Sequence, residues 1–158
     1  EPYGVTPDLM PLAKPLGGGL PIGATLMTDA VAGAIEPGDH GSTFAANPVV
    51  CSAAQVVVEK VAAPAFLERV RALGSYVEES LLELQHRHAC IKEVRGRGLI
   101  WGIEATVDVG PAIDAGFGEG LLTCKAGANV LRLLPPLVVS EADIDEATAI
   151  LDRAFAVL

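Results

Sequence analysis

Between Pro64 and His88 the apolar residues Phe66, Val70, Leu73, Val77, Leu81 and Leu84 recur at spacings of three and four, while Glu68, Arg71, Glu78, Glu79 and Glu83 fall elsewhere. That period predicts an amphipathic helix with one face toward a core. Pro64 suits its first turn, where the missing amide is not needed. Just upstream, VVCSAAQVVVEKVA (residues 49–62) is rich in Ala and Val and contains no turn signal. It predicts a buried helix in spite of its β-branched residues.

The period changes after His86-Arg87-His88. CIKEVRGRGLIWGIEA (90–105) predicts two short strands around a glycine turn. A small helix near PAIDAGF precedes a strand at LLTCK and a turn at Gly127, and NVLRLLPPLVV is strand-like until the double proline. Ser140 with Asp143 three residues on is a capping-box arrangement that opens a last helix. Its inward face would be Ile144, Ala147, Leu151 and Phe155.

Ahead of Val49 the pattern is less regular. Residues 1–19 are rich in Pro and Gly and predict loop, with an extended piece around LMPLAK. LPIGATLMT (20–28) has strand composition, DAVAGAIE is a short helix ended by Pro37-Gly38, and DHGSTFAAN (39–47) is a polar loop stopping at Asn47-Pro48. The order is loop and strand, two helices, then strands alternating with short helices. It suits the tail of an α/β domain over residues 1–62 joined to a small α+β domain over 63–158. No repeat or low-complexity tract is present.

Composition narrows the function classes. Hydrophobic residues make up 51% of the 158 but aromatic ones only 4%, so the core must be aliphatic. The net charge of −9 repels phosphate backbones, which argues against nucleic-acid binding. The longest apolar run, PVVCSAAQVVVEKVAAPAFL, is interrupted by Gln55, Glu59 and Lys60 and is no membrane span. No basic-plus-apolar leader opens the chain, and a cytoplasmic protein is expected. Cys51, Cys90 and Cys124 are odd in number and far apart, without metal spacing, and read as small buried hydrophobes in a reducing compartment. EPYGVTPDL opens with turn formers and no Met, which reads as the interior of a longer protein.

The candidate chemistry centres on LAKPLGGGLPIGA (12–24). Lys14 there admits three readings. It is a solvated loop lysine, or part of a phosphate loop, although the lysine precedes the glycines and the usual phosphate-loop spacing is absent. Or it is an amine with a lowered pKa that condenses with an aldehyde, with glycines making room for a flat cofactor.

PDLMPLAKPLGGGLPIGATL resembles the segment around the cofactor lysine of class III aminotransferases. DHGSTFAANPVVCSAA, VRGRGLIWGIE, GLLTCKAGANVLRLLPPL and SEADIDEA follow in that family's order and at about its spacing, so the resemblance covers nearly the whole chain. HGSTF, GANVLRLLPPLVVSE and GGGLPIGA bring it nearest the acetylornithine/ornithine branch. The resemblance implies the carboxyl-terminal part of a fold-type I pyridoxal-phosphate-dependent transferase. That part would be the end of the large α/β domain plus the small C-terminal α+β domain.

By that likeness Lys14 would bind pyridoxal 5'-phosphate through its amine and then shuttle the proton. Pro15, where many relatives have a small residue, would push Lys14 toward an extended backbone. Thr43 would reach the cofactor phosphate of a neighbouring subunit in a homodimer with shared active sites, and Ser42 would help hold the amino substrate. Arg132 would bind a substrate carboxylate, unless strand alternation turns it to solvent. The implied reaction passes an amino group from N-acetylornithine, or a similar terminal amine, to 2-oxoglutarate, in arginine biosynthesis. Ornithine and 4-aminobutyrate are alternative donors, and a non-catalytic dimerising remnant is the alternative of another class. No metal is implied. The family's carboxylate for the pyridine nitrogen, its phosphate-holding glycine turn and a further substrate arginine lie upstream of the lysine and are not in this sequence. Arg95 and Arg97 read as loop stabilisers, His86 and His88 as helix-end residues, His40 as structural, and Trp101 as core.

Overall fold

The computed structural model describes residues 3–158, so Glu1 and Pro2 of the expected opening loop lie outside the described residues. The chain divides into two compact units, residues 1–66 and 67–158.

In the first unit, β1 (Leu9–Leu12) pairs antiparallel with β2 (Ala24–Met27), Leu12 opposite Ala24. The connection carries a 3-10 turn, Lys14–Gly17, closed by the Gly18 amide donating to the Pro15 carbonyl at 2.9 Å. Gly18 and Gly19 have φ of 62° and 112°, a backbone that side chains other than glycine resist. The expected short helix is one turn, α1 (Asp29–Ala32). The long helix α2 (Pro48–Ala62) starts where Asn47 stops the loop, because the Asn47 side-chain oxygen accepts from the amides of Val49 (3.0 Å) and Val50 (3.3 Å). Those bonds satisfy two of the donors a helix leaves open at its start.

α2 was expected to be buried, and the structure corrects this: Ala54 is its buried residue, while Val49, Val56 and Val58 are exposed. A helix apolar on all sides needs cover on all sides, and within this unit the Lys14–Gly17 turn packs on one side only, with Val57 beneath Gly18. The cysteines are corrected too. Cys51 and Cys124 are exposed and Cys90 half-buried, all three unpaired, because Cys51 lies on an uncovered side of α2 and Cys124 on an open sheet face.

The second unit is a four-stranded antiparallel sheet with helices on one face. α3 (Pro64–Arg87) enters it from Leu67 on, followed by β3 (Ile91–Arg97), β4 (Ile100–Ala105), α4 (Gly110–Gly118), β5 (Cys124–Lys125), β6 (Val130–Leu133) and α5 (Glu141–Phe155). The strand order is β3-β4-β6-β5. The core joins Leu73, Val77, Leu81 and Leu84 of α3 to Ile144, Leu151 and Phe155 of α5 over Ile103 and Leu131 of the sheet. These are the faces the apolar periods mark out. Trp101 is buried and donates from Nε1 to the Gly98 carbonyl at 2.8 Å. Gly98, with φ 56°, leads the two-residue β3–β4 connection. No single helix among the described residues is long and apolar enough to cross a membrane.

Ser140 and Asp143 form the full capping box. The Ser140 amide and hydroxyl donate to the Asp143 carboxylate at 2.9 and 2.6 Å, and the Asp143 amide donates to the Ser140 hydroxyl at 3.2 Å. The hydroxyl bond first, and the amide bond second, hold the Asp143 carboxyl below its ordinary value. A depressed folded value means a contribution complete above the unfolded pKa and lost as pH falls through the folded one. Ser140→Ala should therefore lower the Tm near neutrality. In melts taken at successively lower pH, the gap between Ser140→Ala and the unmodified chain should narrow below the ordinary aspartate range. A gap independent of pH would contradict this.

Candidate functional site

Lys14 stands two residues beyond the end of β1. Its φ is 60°, left-handed rather than the extended backbone expected before Pro15, because the chain must reverse into the 3-10 turn directly after the strand. For a residue with a Cβ this conformation costs on the order of 1–3 kcal/mol, and such outliers gather at functional sites. Ala46, with φ 55°, is the other non-glycine residue of this kind among the described residues, and it follows Ser42 and Thr43 in their loop. Lys14 is exposed within this chain, so the desolvation expected of a reactive amine is not supplied by these residues alone.

Ser42 lines a cleft of about 490 Å³ together with Ile22, Gly23, Ala24, Asn47 and Cys51. The hydroxyl loop and the far end of the glycine connection thus meet. Lys14 and Thr43 are not among that cleft's lining residues. Thr43 opens the Thr43–Ala46 turn with its side chain exposed.

Arg132 belongs to the second unit. Its strand alternates, with Leu131 and Leu133 buried and Arg132 exposed on the opposite sheet face. There its Nη2 lies 3.6 Å from the Cys124 Sγ. A cleft of about 420 Å³ on this face is lined by Arg132, Arg95, Arg97, Gly96, Gly102 and Trp101 among others. The loop-stabilising role expected of Arg95 and Arg97 is therefore incomplete. Both sit on β3, two residues apart, and a spacing of two on a strand puts side chains on one face. That signal was present in the sequence. Around them, Glu104 accepts from Lys92 Nζ at 2.7 Å and from Arg95 Nη1 at 2.6 Å. The Lys92 bond, and after it the Arg95 bond, hold the Glu104 carboxyl below its ordinary value. His88, just past α3, contacts Asp152 at 2.7 Å, as does Arg87 at 2.8 Å, tying α3 to α5. No group of three or more His, Cys, Asp or Glu among the described residues is placed to hold a metal ion.

The family described as "Aminotransferase class-III" matches residues 1–155. The mitochondrial acetylornithine aminotransferase of Alnus glutinosa is 49% identical over 152 residues, covering 96% of this chain and 34% of the relative. Acetylornithine aminotransferase 1 of Bradyrhizobium diazoefficiens is 46% identical over 98% of this chain and 38% of its own length. Among solved structures, acetylornithine aminotransferase from Elizabethkingia anophelis superposes with a TM-score of 0.86 at 30% identity, over 98% of this chain and 40% of that one. Plasmodium falciparum ornithine delta-aminotransferase does so at 0.88 and 32%, with the same coverage. The chain spans well under half the length of these relatives. Its mixed α/β arrangement is a part of the fold-type I fold, whose class III members depend on pyridoxal phosphate. With a strained lysine ahead of its glycine turn and a match running from its first residue to the last helix, the chain belongs to the class III aminotransferases.

Proposed function

We propose that this chain is the C-terminal part of a pyridoxal-phosphate-dependent aminotransferase. That enzyme passes an amino group from N-acetylornithine, or a similar terminal amine, to 2-oxoglutarate, as a cytoplasmic step of arginine biosynthesis. Residues 1–62 end its large domain and 63–158 form its small one. The observation that carries the reading is Lys14, a single amine held in a strained backbone between a strand end and a glycine turn.

The residues present fit the cofactor in part. The Lys14 amine is accessible for covalent attachment. The Ser42 and Thr43 hydroxyls lie in an exposed turn and suit an anionic phosphate or a polar substrate group. When bound, the cofactor supplies the electron sink that stabilises negative charge at the substrate carbon. Everything else falls to the protein. Lys14 anchors the cofactor and then carries the proton, as a general acid and base. Thr43 donates to the cofactor phosphate of the partner subunit in a homodimer, Ser42 orients the amino substrate, and Arg132 pairs with a substrate carboxylate through its planar fork. Cover for Lys14 would come from the rest of the enzyme.

The exposure of Lys14 also supports a second reading, a dimerising remnant without catalysis. The two part in one experiment. The purified chain alone, given cofactor, N-acetylornithine and 2-oxoglutarate, is expected to show no turnover. Fused behind the part of the Alnus glutinosa relative that precedes the matched region, it should transaminate. A folded, cofactor-loaded fusion without turnover would contradict the enzymatic reading.

A further inference from the structure

Arg69 of α3 is exposed, yet its guanidinium binds three consecutive carbonyls far along the chain. Nη1 donates to the Leu137 carbonyl at 3.0 Å, and Nη2 donates to those of Val139 at 2.6 Å and Val138 at 3.5 Å. A charged donor binds a carbonyl more strongly than a neutral one, and the planar fork fixes direction as well as distance. These carbonyls belong to the connection from β6 to α5, residues 134–140. Its other bonds are local. The Val139 amide donates to the Pro136 carbonyl at 3.0 Å, and Ser140 pairs with Asp143. Pro135 and Pro136 bring no amide at all, and Leu134 and Val138 are exposed. The two prolines border an open apolar cleft of about 350 Å³ together with Val77, Leu133 and Ile144, so packing leaves one side of the connection unsupported. Arg69 ties it to α3.

Arg132 lies three residues before Pro135, on a strand of four residues. That strand pairs with β5 at two positions, Arg132 with Cys124 and Leu131 with Lys125. The side-chain partner the structure gives Arg132 is the Cys124 thiol, a weak acceptor. The place of its guanidinium is therefore set mainly by the backbone of β6. We propose that Arg69 is a positioning residue for Arg132: by clamping the carbonyls of Leu137, Val138 and Val139 it fixes the far end of the Pro135-Pro136 pair, and through that pair the end of β6. The inference rests on the carboxylate role proposed for Arg132. Two prolines in succession hold φ near about −65° and act as a semi-rigid spacer, so a shift at one end reaches the other. Arg69 acts on the strand and not on the substrate.

Two variants test this. Arg69→Met keeps the length of the side chain and removes every donor, while Arg69→Lys keeps a charge with donors of its own. Hydrogen exchange on the full chain, without cofactor, is the first arm. Arg69→Met should speed exchange at Val139 and Leu133 by about tenfold and leave Val94 of β3 unchanged, which also reports that the unit remains folded. The second arm uses the fusion enzyme. There Arg69→Met should raise the KM for 2-oxoglutarate about fivefold with kcat within about twofold of the parent, and Arg69→Lys should recover most of the difference. With Arg132→Gln already in place, Arg69→Met should change that KM by less than about twofold, because the group it positions is gone. Exchange at Leu133 indifferent to Arg69→Met overturns the hold on β6, whatever the fusion does. Faster exchange at Leu133 in a chain whose fusion is inactive supports the hold and leaves only the enzymatic reading refuted. An active fusion in which Arg69→Met lowers kcat with KM unchanged, or acts equally with and without Arg132→Gln, marks general support of the fold and overturns the positioning role.

Discussion

Gly96→Ala is expected to destabilise the second unit by about 2–3 kcal/mol, lowering its Tm by roughly 10–20 °C. A Cβ at this position would fall on the Ile100 carbonyl and inside the indole of Trp101. Trp101 is buried and anchored by its bond to the Gly98 carbonyl, so it cannot swing aside without opening the core. Gly74→Ala should act in the same direction, since its Cβ would sit 2.8 Å from the Gly98 carbonyl oxygen, where α3 crosses the hairpin turn. Gly118→Ala is the control. Nothing lies within 4 Å of its Cβ position, and the change should be neutral or slightly stabilising at a helix end. Trp101 is the only tryptophan, so near-ultraviolet dichroism reports this region directly. Matching melts for Gly96→Ala and Gly118→Ala would contradict the close packing described.

The second large effect concerns Lys14. In the active fusion enzyme, Lys14→Ala should reduce kcat by at least about a thousandfold, because it removes both the covalent anchor and the proton carrier. Lys14→Arg keeps the charge but has no amine able to condense, and should fail equally. Within this chain the Lys14 side chain is exposed, so neither substitution disturbs its core, and circular dichroism of the fusion variants should match the parent. A Lys14→Ala enzyme within tenfold of the parent would remove the residue from the mechanism.

The second unit was the more legible in the sequence. The three-and-four spacing meets the buried face of α3 at Leu73, Val77, Leu81 and Leu84, and Ser140 with Asp143 marks the start of α5 to the residue. Those signals are local: a face must meet a core, and a cap must satisfy open amides. The first unit read less well for the opposite reason. Whether Val56 or Cys51 is buried depends on what covers α2, which no local pattern specifies. The Lys14 backbone was misjudged because the preference imposed by Pro15 yields to the reversal after β1. Arg132 was ambiguous until the register with Gly102 and Cys124 fixed its face. With that register, Arg95 came into view as its neighbour in the cleft.

The central claim is that Lys14 is the amine that takes the cofactor. Incubating the fusion enzyme with pyridoxal phosphate, reducing with borohydride and mapping peptides by mass tests it without any assay of turnover. The expected result is one reduced cofactor adduct, on the peptide containing Lys14, and none on Lys60, Lys92 or Lys125. Adducts spread over those three with Lys14 unmodified would contradict the account.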